Sequence, residues 1–322
     1  MMDYTDRHFR VVMRGLTRRT LLYSEMIHTN ALVLGGRVDL LAFDPIERPI
    51  ALQLGGDSPE MLARAAKMAE ELGWDEVNLN VGCPSDRVQR GRFGACLMAH
   101  PEVVAEAVAA MRAAVKIPIT VKHRIGIDDL DRYEDMLRFV DLVAAAGSDR
   151  FTVHARKAWL SGLSPKENRT IPPIRYDDVY RLKLERPELE IEINGQVRTL
   201  AEAKSHLDHV DAVMIGRAAY ETPAIFMHAD TELFGASEDP ATDRFEAARM
   251  LLPHLARETG SGVKAHTITR HLLGLFAATP LSRAWKHGIA KVGQAGPEAP
   301  KALEALIDEA RRGRRGTDTA PI

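Results

Sequence analysis

Short apolar runs alternate with longer amphipathic stretches over the first two thirds of the chain. Leu21–Met26, Ile50–Leu54 ("IALQL"), Glu76–Asn80 ("EVNLN"), Pro118–Lys122, Arg150–His154, Leu189–Asn194 and Ala212–Ile215 read as strands. Between them, Met61–Leu72, about Glu102–Val115, Tyr133–Ala146, Asp177–Leu184 and Leu200–Leu207 carry a helical period, and another helix follows Ile215. Ser58 is placed to cap the first of these, with Pro59 at its opening position. The strands are short and mostly apolar, the pattern of strands covered on both faces. Their alternation with helices predicts a parallel α/β architecture.

Polar residues recur where these strands end: Gln53, Asn80, Lys122, His154, Asn194 and the pair Gly216–Arg217. In a (β/α)8 TIM barrel the chemistry sits at that C-terminal mouth. Seven strands are one short of closure. The opening "MMDYTDRHFRVVMRGL" reads as a loop and a helix with no strand before it. The expectation is a TIM barrel whose first strand is truncated and lies upstream of the chain as written. From about Pro240 the texture becomes wholly helical. We therefore expect a barrel domain over 1–238, a small C-terminal helical domain over 239–310 and a disordered tail over 311–322.

Composition narrows the function classes. Of 322 residues, 45% are hydrophobic and 27% charged, the balance of a globular protein. No apolar run reaches the ~20 residues of a membrane span, so no membrane partner is expected. Two cysteines make no disulfide framework, so a cytoplasmic setting is the default. The net charge of −2 does not point to a nucleic-acid partner, although a local basic face is enough for one. No His, Cys and Asp set has zinc spacing, so no metal is expected.

Both cysteines fall in "NLNVGCPSDRVQRGRFGACLM", residues 78–98. Cys83 follows a strand by two residues, between a glycine that lets the backbone turn and a proline that stiffens the exit. A thiol there can act as nucleophile or general acid, or be a small core residue. Cys96, among apolar neighbours, reads as core.

This segment resembles the signature of the flavin-dependent tRNA-dihydrouridine synthases, A subfamily. "ALQLGG", "TVKHRIGID", "VHARKAWLSGLSPKENR", "IPPIRYD", "VMIGRAAY" and "TRHLLGLF" resemble that family too, in order, from Met2 to about residue 290. The resemblance implies an FMN-binding barrel with a helical domain that helps hold tRNA. It implies NADPH as the reductant and uridines 20 and 20a of the tRNA D-loop as the target. Cys83 would be the proton donor, across the base from the flavin. A thiol titrating near ~8.5 keeps its proton at neutral pH. Met1, Met2, Gln53, Lys122 and His154 would line the flavin, and a cation at Lys122 would stabilise negative charge on it. Asn194, Gly195 and Gln196 of "NGQVRT", with Gly216 and Arg217 of "IGRA", would take its phosphate on backbone N–H groups. Asn80 and Arg124 would meet the uridine. Lys166, Arg169, Arg283 and Lys286 would contact tRNA, the last two sharing a helix face. No oligomer is implied; a monomer is expected.

Two residues depart from the family pattern. Gln196 stands where a second glycine is usual, at a cost of roughly 1 kcal/mol if the residue takes a positive φ. His123 replaces a threonine, and the sequence offers no reason. Two rival readings remain: another FMN-dependent barrel oxidoreductase acting on a small pyrimidine-like molecule, and a non-catalytic tRNA-binding protein. The first leaves the helical domain and the "SPKENR" loop unexplained. The second predicts a protein that purifies without flavin.

Overall fold

Along Glu76–Val81, Arg150–His154 and Glu190–Asn194 polar and apolar side chains alternate strictly, and this decides what each face of the sheet can touch. The computed structural model describes residues 1–314. Its strands are β1 (Leu22–His28), β2 (Ile50–Gly55), β3 (Glu76–Val81), β4 (Ile119–Arg124), β5 (Arg150–His154), β6 (Glu190–Asn194) and β7 (Ala212–Met214). All pair in parallel and in sequence order. Among the described residues β1 pairs only with β2 and β7 only with β6, so the seven strands form an open arc, one strand short of a closed ring, as the strand count led us to expect.

The helices are α1 (Arg7–Arg14), α2 (Pro59–Leu72), α3 (Pro101–Ala114), α4 (Tyr133–Ala145), α5 (Tyr176–Glu185), α6 (Leu200–Leu207) and α7 (Arg217–Glu221). Ser58 accepts from the Met61 N–H and Pro59 opens α2, the start that the capping signal gave. Leu52, Leu54, Val77, Leu79, Val81, Val121, Phe151, Val153, Ile191 and Ile193 are fully buried in the helix-facing layer. The opposite face is polar. Glu76, Asn78, Asn80, Thr120, Thr152 and Glu192 are buried on the concave side. The strands are thus covered on both faces, as expected, but only one face is apolar; reading them as mostly apolar throughout hid a polar interior.

β7 is followed by α7, short turns and a helical segment: α8 (Arg244–Arg249), α9 (Leu252–Gly260), α10 (Ala265–Thr269), α11 (Ser282–Gln294) and α12 (Ala299–Arg314). Phe245, Phe276 and Trp285 form its aromatic centre, with the Trp285 indole donating to the Leu272 carbonyl at 2.8 Å. It packs on α1 through polar contacts: Arg7 with Glu258, His8 with His254 at 2.9 Å, and Asp6 with Arg270 at 2.7 Å. α12 runs through the point where a disordered tail was expected to begin. Its last turns are tied to α8 by Arg249–Asp308 and to Asp243 by Arg311 at 2.9 Å. The rest of that expectation, over 315–322, lies outside the described residues.

His123 now has a setting. It faces the helix layer, fully buried between Phe139 and Phe151. Its Nδ1 lies 2.7 Å from the Arg124 carbonyl, and its Nε2 has no partner. Burial lowers its pKa to about 4, with Lys122 adding to the shift and the bond to Arg124 opposing it. A histidine held neutral in the fold takes a proton on unfolding, so its contribution to stability is lost as pH falls from about 6.5 towards 4. Urea unfolding at pH 7 and pH 5 checks this. His123→Leu is expected to lose about 2 kcal/mol less than wild type between the two; equal losses would contradict it.

Candidate active site

The end of β3 turns sharply, and one side chain makes the turn. Asn80 Oδ1 accepts the N–H groups of Gly82 and Cys83 at 3.1 and 3.0 Å. Its Nδ2 donates to Gln53 Oε1 at 2.9 Å. Gln53 Nε2 donates in turn to Asn78 Oδ1 at 2.9 Å, and Asn78 Nδ2 to Thr120 Oγ1 at 2.8 Å. Thr120 donates to Glu76 Oε1 at 2.6 Å, and Arg150 and Tyr23 close the line on Glu76 at 2.5 and 3.2 Å. Five side chains on three strands thus carry one directional hydrogen-bond ladder from a buried ion pair to the Cys83 backbone. Each donor is used and each acceptor is met, as a buried polar chain requires.

Cys83 is half-buried at the mouth of the arc, its Sγ 3.6 Å from Ser85 Oγ. Two further contacts fix its turn. The Ala95 N–H reaches the Cys83 carbonyl at 2.9 Å. Gly94, at φ +79°, permits that approach, because a Cβ there would lie 2.5 Å from the same oxygen. The Arg124 guanidinium braces the other side, donating to the carbonyls of Gly82 (2.9 Å), Lys157 (2.9 Å) and Asn168 (3.0 Å). Arg124 is 3% exposed, so its evident work is to tie the Cys83 turn to the loop after β5. Cys96 is half-buried, with its thiol 3.3 Å from the Phe93 carbonyl and its pKa pushed up by burial.

Lys122 reaches across the floor to Asn194 Oδ1 at 3.1 Å, and Asn194 donates to the Met214 carbonyl at 2.8 Å. Burial lowers Lys122 to about 8; Arg124 adds to the shift, while Glu192 and Cys83 oppose it. His154, half-buried beside them, is held well below its ordinary pKa by burial and then by Arg124, Lys122, Arg156 and Arg217. Four cations therefore surround one neutral imidazole, and none of the four makes an ion pair among the described residues.

Two glycine loops close this end. Gly195 takes φ +135°, and a Cβ there would lie 3.1 Å from both the His154 ring and Ile174. Gln196 takes φ +57°, the strained conformation that a side chain disfavours. Gly216 caps the short helix α7, which starts at the half-buried Arg217. Of the opening residues, Met1 is half-buried and accepts the N–H groups of Tyr4 and Thr5, whereas the Met2 side chain is 52% exposed.

The remaining expected residues lie outside the mouth. Lys166 and Arg169 are exposed on a loop held from within by buried Asn168, which bonds Trp159 and Leu163. Arg283 and Lys286 are exposed on α11. Neither of these two makes a side-chain hydrogen bond or ion pair among the described residues. No group of His, Cys, Asp and Glu able to hold a metal occurs among the described residues, and no helix there is long and apolar enough to cross a membrane.

Sequence reading missed Glu76, Asn78, Thr120 and Arg150, all below the mouth, and Gly94, Asn168 and Arg156. The polar alternation in "EVNLN" and "ITVKHR" was the available signal for the first group. The others act through contacts between distant segments, which leave no local mark.

The parallel sheet thus gathers a thiol, a carboxamide array and cations without ion-pair partners among the described residues at its C-terminal edge, where such sheets place their binding sites. Comparison with known proteins gives the family. Residues 1–311 match the profile described as dihydrouridine synthase (Dus), and the chain belongs to that family. It is 55% identical over 301 residues to a tRNA-dihydrouridine(20/20a) synthase of Synechocystis, covering 92% of this chain and 90% of that one. It is 51% identical over 311 residues to the enzyme of that name from Yersinia pestis, covering 96% and 88%. Among solved structures, a 2-naphthoyl-CoA reductase complex shares the fold at a TM-score of 0.54 and 12% identity, covering 71% of this chain and 47% of that one.

The buried position of Lys122 has a measurable cost. A lysine whose pKa falls on folding destabilises the fold at pH values below its folded pKa, and the penalty fades as pH rises from about 8 through 10.5. In cofactor-stripped protein, Lys122→Met should raise the unfolding free energy by about 2 kcal/mol at pH 7, a figure discounted for water reaching the mouth. Urea titrations at pH 7 and 9.5 should show the gain shrinking; a loss of stability at both would contradict it.

Proposed function

We propose that this protein reduces the C5–C6 double bond of uridines 20 and 20a in the tRNA D-loop to dihydrouridine, with Cys83 as the proton donor. The residues present fit FMN as the cofactor. Four unpaired cations around His154 need an anion, and two glycine loops offer backbone N–H groups beside them. Held there, FMN would supply the hydride for C6, with NADPH as its reductant.

Everything else falls to the chain's own residues. Gln53, Lys122, Asn194 and His154 would line the ring, and Gly195, Gln196, Gly216 and Arg217 would hold the phosphate. Met1 would join them, its amino group being close enough to Lys122 for the two charges to repel. The target uridine has to leave its stack to enter, and the loop carrying Lys166 and Arg169 would hold the RNA there through its phosphates, with Arg283 and Lys286 on α11. Cys83 then gives its proton to C5. Asn80 takes a different part from the one first expected: both ends of its carboxamide are engaged, so it aims Cys83 rather than reading the base. Arg124 likewise braces the turn. The reading places the enzyme in the cytoplasm, acting as a monomer.

The single observation carrying this reading is the Cys83 turn, held from three sides at the mouth with its sulfur left half-exposed. Mass spectrometry of tRNA from a deletion strain tests it. Dihydrouridine at the two D-loop sites should return with the wild-type gene and fall below a tenth of that level with Cys83→Ala. Full return with the alanine variant would remove Cys83 from the mechanism.

A further inference from the structure

Gln196 is one of five non-glycine residues with a positive φ among those described, and it stands in the loop that faces the expected phosphate. Its backbone costs roughly 1 kcal/mol that a glycine would not incur. Strain kept at a binding site calls for something that the side chain does. Here the carboxamide Oε1 accepts from Arg156 Nη2 at 2.6 Å.

Arg156 is 5% exposed and makes no ion pair among the described residues. Its Nη1 donates to the Pro172 carbonyl. Burial lowers its pKa, Arg217 adds to that, and Tyr176 opposes it. The guanidinium is thus tied to the Gly195–Gln196 loop through Gln196, and the charge of Arg217, in the neighbouring glycine loop, opposes its own. A carboxylate partner would relieve the repulsion but cancel the charge. A carboxamide orients the fork and leaves its full positive charge in place.

We propose that Gln196 is a positioning residue that aims Arg156 at the phosphate of FMN and so sets the preference for FMN over its unphosphorylated counterpart, riboflavin. The inference rests on the FMN reading given above. It concerns only the phosphate end and makes no claim on the ring or on tRNA.

Fluorescence titration of flavin-stripped full-length protein with FMN and with riboflavin tests it. Wild type should bind FMN at least a hundredfold more tightly than riboflavin. Gln196→Gly removes strain and clamp together. It should unfold at the same urea concentration or higher, weaken FMN about tenfold and leave riboflavin unchanged. Gln196→Glu keeps an acceptor but cancels charge, and should weaken FMN further. In an Arg156→Ala background, Gln196→Gly should cost FMN affinity less than twofold, because Gln196 acts through Arg156. Parallel losses for FMN and riboflavin, no loss for either, or full additivity with Arg156→Ala would each overturn the inference. A wild-type protein that binds neither flavin would instead overturn the cofactor reading beneath it.

Discussion

The hydrogen-bond ladder inside the sheet is the constraint on which the site depends. It starts at the buried Arg150–Glu76 pair and ends at the N–H of Cys83, with Thr120, Asn78, Gln53 and Asn80 between. Each carboxamide donates back towards Glu76 and accepts from the Cys83 side, so none can rotate without orphaning a neighbour. An unpaired buried polar group costs about 1–3 kcal/mol, which makes the ladder cooperative and its upper end rigid. Rigidity there suits the proton donor proposed for Cys83, because such a thiol must sit at a set place before a substrate arrives.

The same interior explains the uneven chemistry of the mouth. Acidic groups lie deep in the arc, where Glu76 meets Arg150 and Thr152 donates to Glu192. At the rim Lys122, Arg124, Arg156 and Arg217 make no ion pair among the described residues. Separating the two by depth leaves the mouth positive although the whole chain carries a net charge of −2. Local field, not overall charge, decides what such a cleft attracts. The cost appears in the depressed pKa values of Lys122 and His154, and in the strained backbone of Gln196.

Much of this was legible from the residues. Arg150–His154 and Leu200–Leu207 coincide with their expected ranges, and the other strands differ by only a residue or two at their ends. The strand-end residues Gln53, Asn80, Lys122, His154 and Asn194 do converge, because parallel strands in register place their ends together. What escaped was set by tertiary contact. Arg124 was expected to meet the uridine; the fold shows its Nε and Nη1 donating to the carbonyls of Gly82, Lys157 and Asn168, bonds that only the folded loop after β5 supplies. Gly94 lies eleven positions beyond Cys83, and only the folded turn shows that a Cβ there would strike its carbonyl. A disordered tail was expected from residue 311, but α12 continues to Arg314, and ion pairs of Asp308 to Arg249 and of Arg311 to Asp243 tie its last turns to α8 and its cap.

The central claim is that the sulfur of Cys83 delivers the second hydrogen to the pyrimidine. Anaerobic mixing of pre-reduced holoenzyme with unmodified tRNA follows that event in a single turnover, read from the return of oxidised flavin absorbance. Wild type should reoxidise rapidly. Cys83→Ala, with the same flavin content and tRNA affinity, should slow by at least a hundredfold. Equal rates for the two proteins would contradict the account.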